Sequence, residues 1–215
     1  MPTRFVAFDM DGTLIDVLSS WAEVHRHFGE NNAEALALFL ADRIDDAEFI
    51  RRDVALWGRH APDLTLAEVG RILDPIPLMP GAPELFDALH RAGVVTAIVS
   101  GGIDLLAHRV ARELGIPHVW ANGLTADATG RLTGDGIVRV PIKRKGEAVR
   151  ALQHRLGFSR EESAAVGNSE IDVAMFRECR TGIAFLPADD AVRAHASRVV
   201  TAHDISECLP YLLER

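Results

Sequence analysis

The first apolar run in the chain is short. Phe5-Val6-Ala7-Phe8 reads as a β-type segment and ends in Asp9-Met10-Asp11-Gly12-Thr13. A buried strand followed at once by acids and a glycine predicts a parallel strand whose carboxyl end carries function. From residue 17 to residue 74 no strand pattern appears. Ser19 and Ser20 are placed to cap a helix that runs to about Phe28 and stops at Gly29. Residues 33–41 are strong helix formers, and residues 45–57 place Phe49, Ile50, Val54 and Trp57 at helical spacing. Thr65-Leu66-Ala67-Glu68 is a capping-box pattern opening a helix to Leu73. Four short helices of this kind predict a small helical cap, residues 17–75, inserted into a core of residues 1–16 and 76–215.

From Ile76 onward strands and helices alternate. Pro80-Gly81 makes a turn, and Pro83 opens a helix that Gly93 ends. Residues 94–99 read as a strand, and residues 104–114 as a helix with Asp104 as its cap and Gly115 as its stop. A glycine-rich segment over residues 119–140 holds Thr129-Gly130 and Gly134-Asp135-Gly136, the signature of a surface β-hairpin. Helices over residues 145–156, 172–178 and 205–213 alternate with strands over residues 164–166, 183–185 and 198–200. This order predicts an α/β fold, a doubly wound and mainly parallel Rossmann-like sheet with helices on both faces. Ligands in such sheets bind at the carboxyl ends of the strands.

Composition narrows the function classes. Apolar residues make up 48% and charged residues 25% of 215 positions, as in a globular protein with one core domain and a modest insert. The formal net charge of −8 removes the basic footprint that nucleic acid or an anionic membrane surface requires. A local pocket on such a protein can still be positive and take an anion. Cys179 and Cys208 lie outside any metal or redox spacing and read as reduced, buried thiols. The amino-terminal apolar run is too short for a signal peptide or membrane span, so a cytoplasmic protein is expected.

Four clusters fall at predicted strand ends. Asp9 and Asp11 repel each other in a poorly solvated cleft, unless a divalent cation bridges them or one is nucleophile and the other acid/base. Alone, the D-x-D-G pattern also suits a turn or half a calcium loop, although such loops continue with acids and Leu14-Ile15 follow here. Ser100-Gly101-Gly102 offers a hydroxyl and backbone N–H groups to a phosphate oxygen, and is equally a common turn. Lys143, Arg144 and Lys145 stand at a helix start, where an ammonium opposes the macrodipole and makes sense facing an anion. Asn168 and Asp172 in Gly167-Asn168-Ser169-Glu170-Ile171-Asp172 place two oxygens four residues apart, with a helix N-cap as the plainer role of Asp172. Trp21, Phe28, Phe49 and Trp57 read as cap core, and His25, His27 and His60 as surface or satisfied groups without a metal-ligand spacing.

In this order, the motifs resemble those of the haloacid dehalogenase superfamily, in particular its phosphoserine-phosphatase-like branch. The likeness spans essentially the whole chain, with a helical cap after the first motif and a hairpin near Ala121-Asn122-Gly123. It implies Asp9 as the nucleophile that forms an aspartyl-phosphate and Asp11 as the acid that protonates the leaving oxygen. It implies Gly12, Thr13, Ser100, Gly101 and Lys145 around the phosphate. It further implies Mg²⁺ held by Asp9, the Asp11 carbonyl, Asn168 and Asp172, and a small phosphorylated substrate. Asp11 argues against a dehalogenase, which needs no acid to release halide. Two positions depart from the branch: Asn168 stands where Asp is usual, and Leu18 stands where phosphoserine phosphatases carry a cap glutamate. Arg51 and Arg52 lie near the place of the cap arginine without a clear match. Weaker metal affinity and a substrate other than phosphoserine are therefore expected. A phosphomutase or phosphotransferase using the same aspartates, or a catalytically weakened phosphate-binding homologue, are the alternatives.

Overall fold

In the computed structural model, which describes residues 1–214, strand β1 (Phe5–Phe8) is buried at all four positions. Its side chains divide by the period-two rule. Val6 and Phe8 enter one core cluster, shared with Val24, Trp57 and Val69 from the helices that follow β1. Phe5 and Ala7 enter another, packed with Val149, Leu152 and Phe176.

Six further strands complete the sheet: β2 (Val95–Ile103), β3 (His118–Ala126), β4 (Leu132–Ile137), β5 (Ser163–Gly167), β6 (Thr181–Phe185) and β7 (Arg198–Val200). Their order is β4-β3-β2-β1-β5-β6-β7. All neighbours pair in parallel except β3 and β4, which form the antiparallel hairpin. The chain leaves β1 for β2 on one side and later returns to β5 on the other. The carboxyl end of β1 therefore sits at the topological switch point, where crevices form.

Between β1 and α5 (Ala82–Arg91) lie four helices: α1 (Ser20–Phe28), α2 (Ala33–Leu40), α3 (Asp46–Gly58) and α4 (Leu66–Leu73). Ser19 Oγ accepts from Ala22 N–H at 3.2 Å, and Gly29 ends α1 with φ of 70°. Thr65 and Glu68 form both halves of the capping box on α4. Helix α2 packs through Ala35 and Phe39, with the Phe39 and Phe49 rings stacked 4.9 Å apart. The hairpin also holds these helices, since Leu66 N–H donates to Gly130 O and Leu132 N–H to Leu64 O.

The remaining helices are α6 (Asp104–Leu114), α7 (Lys145–Leu156), α8 (Val173–Arg177), α9 (Asp190–His195) and α10 (Leu209–Leu212). Three local expectations need correction. Strand β2 runs on to Ile103, so Ser100-Gly101-Gly102 is a bulge within a strand rather than a turn after it, with the β3 register shifting between Ser100 and Ile103. Asp104 is not the cap of α6: Ile103 occupies that position, and the Asp104 carboxylate accepts from Arg139 at 2.8 Å. Helix α9 was not foreseen, because it buries one residue, Val192, and shows no apolar periodicity. Among the described residues, no helix is long and apolar enough to cross a membrane.

Candidate active site

The carboxyl ends of β1, β2 and β5 and the start of α7 converge on Asp9, which directly follows β1. Asp9 is 4% exposed, and Lys145 Nζ donates to its Oδ1 across 2.6 Å. The same ammonium donates to Asp172 Oδ1 at 2.7 Å. Burial alone would push the lysine towards its neutral form, but the two carboxylates outweigh it and raise the group well above the ordinary lysine range. Of the three basic residues, only Lys145 is buried here. Lys143 donates to Phe39 O, Leu40 O and Asp42, and exposed Arg144 pairs with Glu147.

Asp9 is pushed up to about 7, first by burial and then by the charges of Asp172 and Asp11, with Lys145 opposing. Asp11 is also raised by burial, against two hydrogen bonds from Ser20. Two carboxyl groups whose charged forms are both disfavoured by burial therefore lie side by side, and a cation arriving there would favour ionisation.

Gly12 turns the chain with φ of 71°, and its N–H donates to Val17 O at 2.7 Å. A Cβ there would lie 2.2 Å from Asn168 Nδ2, so the glycine lets the β5 loop close over the β1 loop. Thr13 is fully buried and its hydroxyl has no protein partner. Ser100 is buried, and its Oγ accepts from Gly102 N–H at 3.0 Å. Neither glycine of the bulge tolerates a side chain. A Cβ on Gly101 would meet Ile142 at 2.7 Å, and one on Gly102 would meet Met10, Ser20 and Asp11 within 2.9 Å.

On the β5 side, Asp172 Oδ2 accepts from the N–H groups of Asn168 and Ser169 at 2.9 and 3.0 Å. Both of its oxygens are thereby engaged, one by Lys145 and one by the loop. Asn168 is buried beside Gly12. Oxygen is the only ligand type on offer: carboxylates of Asp9 and Asp11, backbone carbonyls and the Asn168 amide. Among the described residues there is no group of three or more His, Cys, Asp or Glu side chains poised to hold a metal. A hard cation that needs few protein carboxylates and completes its shell with water and phosphate fits that set; this is the habit of Mg²⁺.

Two residues of the site escaped the sequence reading. Ser20 donates through both N–H and Oγ to Asp11 Oδ2 at 2.9 Å, and Trp21 Nε1 donates to Gly101 O at 3.0 Å. Both belong to the first turn of α1, where Ser-Ser-Trp read only as a cap and a core aromatic. Trp21 stacks on Trp57 at 5.8 Å, so it is cap core as well. His25 is buried and satisfied, accepting from Trp57 Nε1 and bonded to Asp53. His60 pairs with Glu30 at the surface.

Fold and site together define a doubly wound α/β protein with a buried aspartate at the carboxyl end of its first strand. The chain matches the haloacid dehalogenase-like hydrolase family over residues 6–177 and belongs to it. It is 35% identical to a phosphoserine phosphatase of Idiomarina loihiensis over 210 residues, covering 95% of this chain and 91% of that one. It is 28% identical to a phosphoserine phosphatase of Methanocaldococcus jannaschii over 215 residues, covering 97% of each. Among solved structures, a phospho-aspartyl intermediate analogue of phosphoserine phosphatase superposes with a TM-score of 0.83 at 26% identity, covering 99% of this chain and 100% of that one. Within the family the chain stands in the phosphoserine-phosphatase-like branch. It is a phosphatase, a hydrolase of phosphoric monoesters.

Proposed function

We propose that the protein hydrolyses a small phosphomonoester in two steps through an aspartyl-phosphate on Asp9, with Mg²⁺ as its cofactor. The observation that carries this reading is the buried Asp9–Lys145–Asp172 array, which sets an ammonium between two carboxylates at the carboxyl end of β1. In the first step an Asp9 oxygen attacks phosphorus, the ester P–O bond breaks, and Asp11 gives its proton to the departing oxygen. In the second, water loses a proton to Asp11 and attacks the same phosphorus, releasing inorganic phosphate and restoring Asp9. Lys145, Ser100 and the Gly101 N–H hold the non-bridging oxygens while Gly12 and Thr13 shape the floor.

Asp9, the Asp11 carbonyl and Asn168 would hold the cation; Asp172, which the family likeness implies as a further ligand, has one oxygen bonded to Lys145 and the other to the loop N–H groups, and in this reading would contribute its charge from behind. Bound there, Mg²⁺ would neutralise phosphate charge and keep Asp9 ionised. The helices over residues 17–75 act as a lid that excludes water and bulky partners, which favours a small substrate.

Leu18 is 78% exposed beside Gly12 and presents no charge to a substrate ammonium. The names of the relatives put phosphoserine in any assay panel, and Leu18 predicts that it is not the best member. The test is release of inorganic phosphate from a panel of phosphorylated metabolites with Mg²⁺, with Asp9→Asn as blank. Phosphate release in the wild type alone supports the reading. Activity surviving in the blank, or an isomerised or transferred ester as product, overturns it.

A further inference from the structure

Ser20 is the first residue of α1, and it is not the cap: Ser19 fills that role. Its hydroxyl is therefore free for another task, yet it is completely buried. Ile103 N–H donates to Ser20 Oγ at 3.1 Å. With a lone pair so occupied, the hydroxyl proton is directed at Asp11 Oδ2, 2.9 Å away. The Ser20 N–H donates to that same oxygen at 2.9 Å. Asp11 Oδ1, in contrast, is closed to water and has no protein partner.

An oxygen that accepts two hydrogen bonds is poorly placed to bear a proton of its own. We propose that Ser20 is a positioning residue for Asp11, fixing Oδ2 as the acceptor so that the catalytic proton travels on Oδ1. This rests on the reading of Asp11 as the general acid. During the first step the proton on Oδ1 passes to the ester oxygen as its bond to phosphorus breaks. The negative charge left on Asp11 is received by the two donors already aimed at Oδ2, at the amino end of a nine-residue helix. Because Ile103 closes the Ser100-Gly101-Gly102 bulge, the same hydroxyl ties the acid to the loop that cradles phosphate. Trp21 adds a second tie from the same turn through Gly101 O. The acid is thereby set in place by docking of the first cap helix.

The experiment compares kcat/KM for phenyl, p-nitrophenyl and 2,4-dinitrophenyl phosphate with Mg²⁺ in the wild type, Ser20→Ala, Ser20→Thr and Asp11→Asn. Phenol leaves poorly without a proton, and dinitrophenol does not need one. In Ser20→Ala the phenyl ester should slow by about tenfold and the dinitrophenyl ester by less than about twofold. Their ratio is independent of how much of each sample is folded. Ser20→Thr, which keeps the hydroxyl, should move the ratio back towards the wild-type value. An unchanged ratio in Ser20→Ala overturns the proposal whatever the absolute loss, as does a threonine variant that behaves like alanine. Asp11→Asn separates the two readings. If its ratio shifts while that of Ser20→Ala does not, only the role of Ser20 fails. If its own ratio is unchanged, the acid assignment fails with it.

Discussion

Lys145 Nζ lies 2.6 Å from Asp9 Oδ1, in an ion pair whose side chains are each 5% exposed. An ammonium sealed away in this manner is held by its carboxylates. The carboxylates, Asp172 included, are in turn tolerated only because of it. On the proposed function, the pair would serve as a receptor for a phosphoryl group rather than as a stabilising contact.

Removing the ammonium exposes that dependence. Lys145→Ala should lower kcat/KM by at least about a hundredfold near neutral pH. Because Lys145 is the principal group holding Asp9 down, the residual activity should rise with pH as the nucleophile ionises later. Lys145→Arg should not restore it, since a planar fork does not replace a point charge between two carboxylates. A pH–rate profile checks both statements. Wild-type activity in the alanine variant would remove Lys145 from the site.

Asp9 carries a stability signature of opposite sign to that of an ordinary carboxylate. Its folded value, about 7, stands above its ordinary value of 3.8, chiefly through burial. The folded state therefore binds the proton more tightly. The stability this confers is complete below about pH 4 and is lost as pH rises through about 7. Asparagine carries no charge to bury. Without Mg²⁺, Asp9→Asn should melt several degrees above the wild type near pH 8, with the gap closing towards pH 4. Melting curves at the two extremes decide it, and a gap independent of pH refutes it.

Legibility of the site followed how local each signal was. Asp9, Asp11 and Gly12 adjoin the strand that aims them, so an apolar run followed by acids was enough to find them. The cap helices were equally open, because Thr65-Glu68 and Gly29 mark their own ends. Lys145 was different. Nothing local separates it from Lys143 and Arg144, and it was picked out by family likeness; its burial against Asp9 depends on contacts 136 residues apart. Ser20 and Trp21 were hidden for a related reason. Their partners are Asp11, Ile103 and Gly101, and only docking of α1 brings these together. Ser100-Gly101-Gly102 was misread as a turn because paired glycines signal turns and bulges alike, and the β3 register that decides between them is nonlocal.

Asn168 puts an amide where a carboxylate would add charge. Its backbone N–H is fixed by Asp172 and its side chain packs against Gly12, so its placement is set while its charge is zero. Asn168→Asp should keep the fold and tighten Mg²⁺ binding by about tenfold, the order expected for one added ligand charge in a partly shielded site. Calorimetric titration without substrate, or the Mg²⁺-dependent rise in Tm, reads this independently of turnover. Equal affinity in both proteins would place residue 168 outside the coordination sphere.

Gly12 separates strain from obstruction. Its φ of 71° would cost an alanine about 1 kcal/mol. A Cβ would also meet Asn168 Nδ2 at 2.2 Å and Cγ at 3.1 Å, forcing the β5 loop aside. Gly130, at the hairpin turn, has φ of 85° and open space around its Cβ position. Gly130→Ala therefore carries the strain alone. Both variants should lose a few degrees of Tm, but only Gly12→Ala should lose activity, by at least about tenfold, with a raised Mg²⁺ requirement. If Gly12→Ala kept its activity and lost only the stability that Gly130→Ala loses, the β1 and β5 loops would not form one catalytic surface.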